Sequence, residues 1–365
     1  MSTGSLIVLS SGVGMASPGG GSLTSKDIAR LAGVSQATVS RVLRDSPNVR
    51  AEMRDHVLSV MEGSGYVPNQ QARAMRTRRT GTVGVVTGRM TNPFYPELID
   101  ALGTVLTRRN MRMVLWASDT DSGEAAAIEA MQGGLIDCVI FTSATEGSAS
   151  LEAAMRLNLP VVLMIRGMES ASCDQVTSDN HAGGALAAAH FMAAGRTDVA
   201  IIGGNDGGSA GRETRAGFLD HLRDQGIEVP PEHILDSGYS HDSARSVAVG
   251  LLAKSNAPRS IFCTNDVLAF GVLDAAKELG LGVPNDVWVI GYDDIQMASW
   301  GLFDLTTLTQ PVDEIADLGV EMLLKRLDDG ERPPEHRRFA PQLVIRGSAP
   351  DTTQPKRKPG PAGCR

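Results

Sequence analysis

The chain has 365 residues, 42% of them apolar, and a formal charge of −8. Four cysteines with no CxxC spacing and seven scattered histidines exclude a disulfide framework and a structural zinc site. The charge is unevenly placed: residues 1–80 hold ten Lys or Arg against five acids, a net +5, which leaves −13 on the remainder. A basic head on an acidic body is the asymmetry of a protein whose head alone meets a polyanion.

Residues 1–22 contain a short apolar patch without a basic start. The patch is too short for a secretory core or a bilayer span, so a disordered N-terminal extension is expected. Residues 23–67 predict three helices. In TSKDIARLAGVSQATVSRVLR, Thr24 with Asp27 three positions on makes a capping box. Ile28, Leu31 and Ala32 form an inward face, and Gly33 stops the helix in a left-handed turn. Ser35 caps the second helix, whose Val39, Val42 and Leu43 face inward and whose Gln36, Ala37, Ser40 and Arg41 face outward. Val49, Met53, Val57 and Met61 then recur at helical spacing until Gly65. This is the pattern of a helix-turn-helix with its second helix in the major groove. A helical hairpin inside an ordinary domain is the bland alternative, and the basic charge argues against it. Candidate DNA contacts are Thr24, Ser35, Gln36, Ala37, Thr38, Ser40 and Arg41.

Beyond residue 80 the pattern becomes a repeated βα rhythm. Apolar runs at 83–86, 113–116, 138–141, 161–165, 199–202, 261–263 and 287–290 are each followed by a helix-like stretch. Runs this apolar fit parallel strands covered on both faces, and about 270 residues exceed one such sheet, so two lobes are expected. Ligands of such sheets bind outside the carboxyl ends of the strands. Asp266 and Asp293 follow strands there, and Arg212 opens the helix after the loop 203–211. Carboxylates and a guanidinium so placed suit the vicinal hydroxyls of a sugar, with Phe94, Tyr95, Tyr239 or Trp300 covering its apolar face. The loop GGNDGGSAG lacks phosphate-loop and dinucleotide spacings, so neither nucleotide nor other cofactor is implied. No Ser, His and acid constellation suggests an enzyme.

IARLAGVSQATVSRVL followed by GYVPNQQARAMR, then NPFY, SDN, GRETRAGF, TNDVLAFG, GYDD and LTTLTQP, resemble the lactose/galactose repressor (LacI/GalR) family over residues 23–348. The resemblance implies an all-α helix-turn-helix domain followed by an α/β periplasmic-binding-protein-like (type I) effector domain of two lobes. The body spans 81–350, with the chain crossing between lobes near 195, 310 and 340. Residues 68–80 become a hinge helix entering the minor groove of a palindromic operator when two subunits meet. Asn69 caps it, and Met75 stands where the family usually wedges a leucine between base steps. Met75 is otherwise a linker residue. Arg73 and Arg76 are either phosphate contacts or solvated linker.

By the same resemblance, Phe94, Tyr95, Arg212 and Asp293 match effector-binding positions, and Asn265 and Tyr239 match further contacts. Asp179 is either a contact or the cap of the helix starting near Asn180, and Trp300 is either a contact or core. The expectation is a cytoplasmic homodimeric regulator, with no membrane association, whose operator affinity is set by a small molecule, a sugar before a purine. A solute-binding protein of a transport system is the other class, but it needs an export signal and no basic head. The tail, 351–365, is Pro-rich and basic with no heptad pattern, so it is expected to be disordered.

Overall fold

Thr24 and Asp27 form the reciprocal cap: Thr24 Oγ1 accepts from the Asp27 amide at 3.3 Å, and the Asp27 carboxylate accepts from the Thr24 amide at 2.9 Å. They start α1 (Ser25–Leu31). The computed structural model describes residues 23–43, 46–67, 79–88, 90–117, 121–204 and 208–351, in two units divided at Thr80. In the first unit, Gly33 takes φ +64° after α1, a conformation that costs glycine little. Ser35 caps α2 (Gln36–Val42) by accepting from the Thr38 amide at 3.1 Å. Gly65, again at φ +64°, ends α3 (Ala51–Ser64).

Ile28, Ala29, Ala32, Val39, Val42, Val57 and Met61 form the core of this unit. Two residues expected there are exposed: Leu31 at 55% and Met53 at 39%. Helices α1 and α2 are about two turns each, so they cover only the later turns of α3 and leave Met53, in its first turn, outside. On α1 the buried face is Ile28, Ala29 and Ala32, which puts Leu31 on the flank.

The second unit holds two six-stranded sheets. The first is β11 (His336–Phe339), β5 (Asp174–Ser178), β4 (Val161–Met164), β3 (Cys138–Phe141), β1 (Thr82–Thr87) and β2 (Arg112–Ala117), in that order and parallel throughout. The second runs β12 (Leu343–Val344), β10 (Thr306–Thr309), β9 (Trp288–Asp293), β8 (Ser260–Cys263), β6 (Val199–Gly203) and β7 (Ile234–Asp236), with only β12 antiparallel. All seven apolar runs are strands. Of the other five, β5, β10 and β11 are mainly polar, while β7 and β12 are apolar but only three and two residues long. Strand β5 is polar yet buried, because Asp174, fully buried, receives Arg326 at 2.8 Å and Arg332 at 2.9 Å.

Helices flank both sheets: α4 (Phe94–Arg108), α5 (Asp121–Gln132), α6 (Ala149–Arg156) and α11 (Val312–Asp328) the first; α7 (Asn180–Ala193), α8 (Ser209–Asp224), α9 (His241–Leu252) and α10 (Asp266–Glu278) the second. Helix α7 belongs to the second lobe because its backbone lies against α8. A Cβ on Gly184 would stand 2.1 Å from the Thr214 carbonyl oxygen, and one on Gly217 would stand 1.9 Å from that of His181. The first crossing therefore comes at Asp179, between β5 and α7, not near 195. The other two fall between β10 and α11 and between β11 and β12, at the expected places.

Candidate nucleic-acid interface and effector cleft

Helix α2 presents Gln36, Ala37 and Arg41 to solvent, with Thr38 and Ser40 half-buried beside them. Gln36 Nε2 donates to Ser25 Oγ at 3.0 Å, which holds the amide across the start of α1. The hydroxyls of Ser35 and Thr38 lie 2.9 Å apart, and Thr24 Oγ1 donates to Asp27 at 2.7 Å. Those three side chains therefore serve the helix starts, while the Gln36 amide and the Arg41 guanidinium keep capacity for base edges and phosphates. Asn69, Arg73, Met75 and Arg76 lie outside the described residues.

In the second unit, the strand exits of both sheets supply one cluster. Tyr95 follows the exit of β1, lies 3.1 Å from the Cβ position of Gly88, and meets Phe94 edge-on at 5.7 Å. Phe94 is 2% exposed within the main core, so of the two aromatics only Tyr95 brings a polar atom to the cluster. Arg166, just past β4, donates to the Tyr95 hydroxyl at 3.4 Å and to the Ser143 carbonyl at 3.5 Å. Burial pushes the Tyr95 hydroxyl above its usual range, with Arg166 opposing. From the second sheet, Tyr239, at φ +57°, fills the space that side chains at Gly204 and Gly211 would need.

Asp293 ends β9 at φ +116° and accepts from Gln310 Nε2 at 2.7 Å. Burial pushes its carboxyl up to about 8; the Gln310 hydrogen bond opposes this and the charge of Glu97 adds to it. A backbone held this far into left-handed space is strain that the surroundings must impose. Arg212 is exposed in the first turn of α8.

Several other expected contacts have structural employment. Asp266 is fully buried, with Oδ1 accepting from Thr307 Oγ1 at 2.6 Å and Oδ2 from the Ile295 amide at 2.9 Å. Burial, and then the charge of Asp293, hold its carboxyl well above the usual range. It ties α10 to β10 and to the loop after β9, and so is a support beneath the cleft. Asn265 caps α10, accepting from the Leu268 amide at 2.9 Å, and Asp179 caps α7, accepting from the Ala182 amide at 3.1 Å. Asp179 thus makes the cap that the sequence allows. Trp300 is 50% exposed after the short turn Gln296–Ser299, so it is not core. The sequence reasoning missed Arg166 and Gln310. Arg166 is the first polar residue after the run 161–165, where the strand-exit rule points; Gln310 follows TTLT, which has no apolar signal.

Among the described residues no group of His, Cys, Asp or Glu is arranged to hold a metal, and no helix is long and apolar enough to cross a membrane.

Residues 24–69 match the bacterial regulatory proteins of the lacI family, and residues 188–349 match a periplasmic binding protein-like domain. The HTH-type transcriptional repressor PurR of Vibrio parahaemolyticus is 30% identical over 331 residues, 89% of this chain and 98% of that protein. The ribose operon repressor of Haemophilus influenzae is 29% identical over 89% of this chain and 98% of its own length. Among solved structures, the lac repressor dimer bound to operator and the anti-inducer ONPF superposes with a TM-score of 0.78 at 23% identity, covering 91% of this chain and all of that one. A capped helix-turn-helix, a two-sheet body and near-complete coverage at this identity lead to one conclusion: the chain belongs to the lacI family of bacterial regulatory proteins, DNA-binding transcription regulators with small-molecule effectors rather than enzymes.

Proposed function

We propose that the protein is a homodimeric repressor that reads a palindromic operator through α2 and the segment 68–80, and whose operator affinity is set by a sugar or sugar derivative between the lobes. The observation that carries this reading is the convergence of Tyr95 and Arg166 from one sheet with Tyr239, Asp293 and Gln310 from the other. A ligand touching both sets binds the closed arrangement of lobes better than the open one, and only such a difference shifts an equilibrium. Coupling of about 1–3 kcal/mol between cleft and operator suffices for a regulatory response. Two half-sites follow from the two-fold symmetry of a dimer, since one head buries too little surface for specific affinity. The name of the ribose operon repressor supports a sugar. A purine is the second reading, for which the half-buried Tyr239 is the candidate stacking ring.

Selection of random duplexes by the purified protein, repeated with sugars and nucleobases, tests the reading. A palindrome whose recovery changes with one ligand is the expected result; enrichment no better than salt-sensitive background would refute sequence-specific reading. Within that palindrome, Arg41→Ala is expected to cost about 1–3 kcal/mol of specific binding and to relax preference at one base position per half-site. Competition assays with operator and scrambled duplex check it: equal loss on both would make Arg41 a phosphate contact.

A further inference from the structure

Arg166 is half-buried, and its two hydrogen bonds, 3.4 and 3.5 Å long, go to neutral oxygens. Four other arginines held against this body have carboxylates: Arg326 and Arg332 have Asp174, Arg346 has Asp294, and Arg215 has Asp236; Arg196 instead stacks on Trp288 and donates to the Arg259 carbonyl. No described carboxylate stands within ion-pair distance of Arg166. Its guanidinium instead faces Gly208, where an added Cβ would lie 3.2 Å from Cζ. Gly208 is the N-cap of α8, a sixteen-residue helix, and supplies no side-chain acceptor to the first-turn amides. Those amides carry the positive end of the helix dipole.

Two hydroxyls add to this. Ser209 Oγ, in that first turn, and Thr264 Oγ1, at the exit of β8, are buried without a hydrogen-bond partner. Thr264 is only 8% exposed, and its hydroxyl lies 3.5 Å from the Cβ position of Gly203, at the exit of β6. A buried hydroxyl with no partner has a cost that a ligand atom would remove.

We propose that the effector carries a phosphate group, which sits between the Arg166 guanidinium and the first turn of α8, while its hydroxyls face Asp293 and Gln310. This rests on the reading of the cleft as the effector site and narrows the ligand to phosphate esters, a sugar phosphate before a free sugar. A guanidinium opposite first-turn amides, which have no acceptor within their own helix, is matched to an oxyanion, and charge-assisted hydrogen bonds are about twice as strong as the neutral ones a sugar hydroxyl would make.

The test uses the full-length protein, with thermal unfolding and operator binding measured in parallel. The probes are inorganic phosphate, ribose 5-phosphate and glucose 6-phosphate, against ribose, glucose, gluconate and hypoxanthine at matched ionic strength in chloride. The expected result is that an ester binds at least about tenfold more tightly than its parent sugar, that Arg166→Gln removes about tenfold or more of that affinity, and that Arg166→Lys keeps part of it. Inorganic phosphate should stabilise the wild type more than Arg166→Gln; phosphate held by the basic head is common to both proteins and cancels. Equal affinity for ester and parent sugar, or equal ester affinity in Arg166→Gln, overturns the inference. If ribose, glucose or hypoxanthine alone alters operator binding, the phosphate assignment falls and the regulator reading stands. If gluconate alone does so, the site takes a carboxylate and the phosphate assignment is wrong. If none of the probes alters either measurement, the cleft fails as the effector site and both proposals fall.

Discussion

Gly217→Ala is expected to destabilise the effector domain by several kcal/mol, although alanine is the better helix former by about 0.8–1 kcal/mol. Gly217 lies in α8 facing α7, and its new Cβ would stand 1.9 Å from the His181 carbonyl oxygen and 2.6 Å from the carbonyl carbon. Both are backbone atoms, so no rotamer change relieves the contact and the two helices must separate. Separation opens the packing of Phe191 against Phe218, whose rings meet edge-on at 6.3 Å, and of Phe218 against Phe262 at 5.1 Å. Overpacking a dense core costs about 1–3 kcal/mol and more where the backbone must move, so steric cost exceeds the propensity gain.

Gly250→Ala is the matched control. Gly250 is also helical, in α9, but a Cβ there meets nothing within 4 Å. It is expected to stabilise by about 0.5–1 kcal/mol. Thermal unfolding reads both, at about 2–4 °C per kcal/mol for domains approaching this size. Opposite signs for the same substitution are the expected outcome. A Gly217→Ala protein that melts with the wild type would mean that α7 and α8 can move apart freely, and the close approach would then have no energetic weight.

That contrast marks where the sequence is legible. Local signals were sufficient for the head: Thr24, Asp27, Gly33, Ser35 and Gly65 each act within four residues of chain, so a cap or stop can be read without knowing the tertiary structure. Apolar runs were sufficient for seven strands. The strand β5 was invisible because its burial is made tolerable by Arg326 and Arg332, about 150 residues away in the chain, and β10 because its threonines are satisfied by Asp266 and by backbone far along the chain. The crossing at Asp179 was misplaced because the residues that bind α7 to the second lobe are glycines. In the cleft, the strand-exit rule located the right level of the structure but not the direction of each side chain. Asp266 and Asp293 both follow strands, yet one turns under β10 and the other keeps its carboxyl at the lobe junction. Asp266 already opens α10 and is carried round by its first turn, whereas Asp293 still belongs to β9.

Asp293 is also where the second large effect is expected. Its carboxyl rises from an ordinary 3.8 to about 8 in the folded protein, chiefly through burial. Between those values the folded state holds a proton that the unfolded state has lost. The associated stability is therefore complete below about pH 4 and disappears as pH rises through 8, with a slope of up to about 1.4 kcal/mol per pH unit. Asp293→Asn keeps an oxygen to accept from Gln310 Nε2 and cannot ionise, so it is expected to match the wild type near pH 4 and melt above it at pH 8. Some slope persists, since Asp266 remains buried, but it weakens because one of the charges raising that carboxyl is gone.

The gain in stability comes with a functional loss. An effector hydroxyl donating to Asp293 gains most from an ionised acceptor, and Asn presents a weaker acceptor and an N–H that competes with the donor. Effector affinity is expected to fall about tenfold or more while operator binding without effector is unchanged. Melting curves from pH 4 to 8 and operator titrations with and without effector separate the two effects. A variant that melts higher at pH 8 yet responds to effector normally would make Asp293, like Asp266 beneath it, a buried support. A variant that is both more stable and unresponsive would identify the buried carboxyl as a site where the fold gives up stability for recognition.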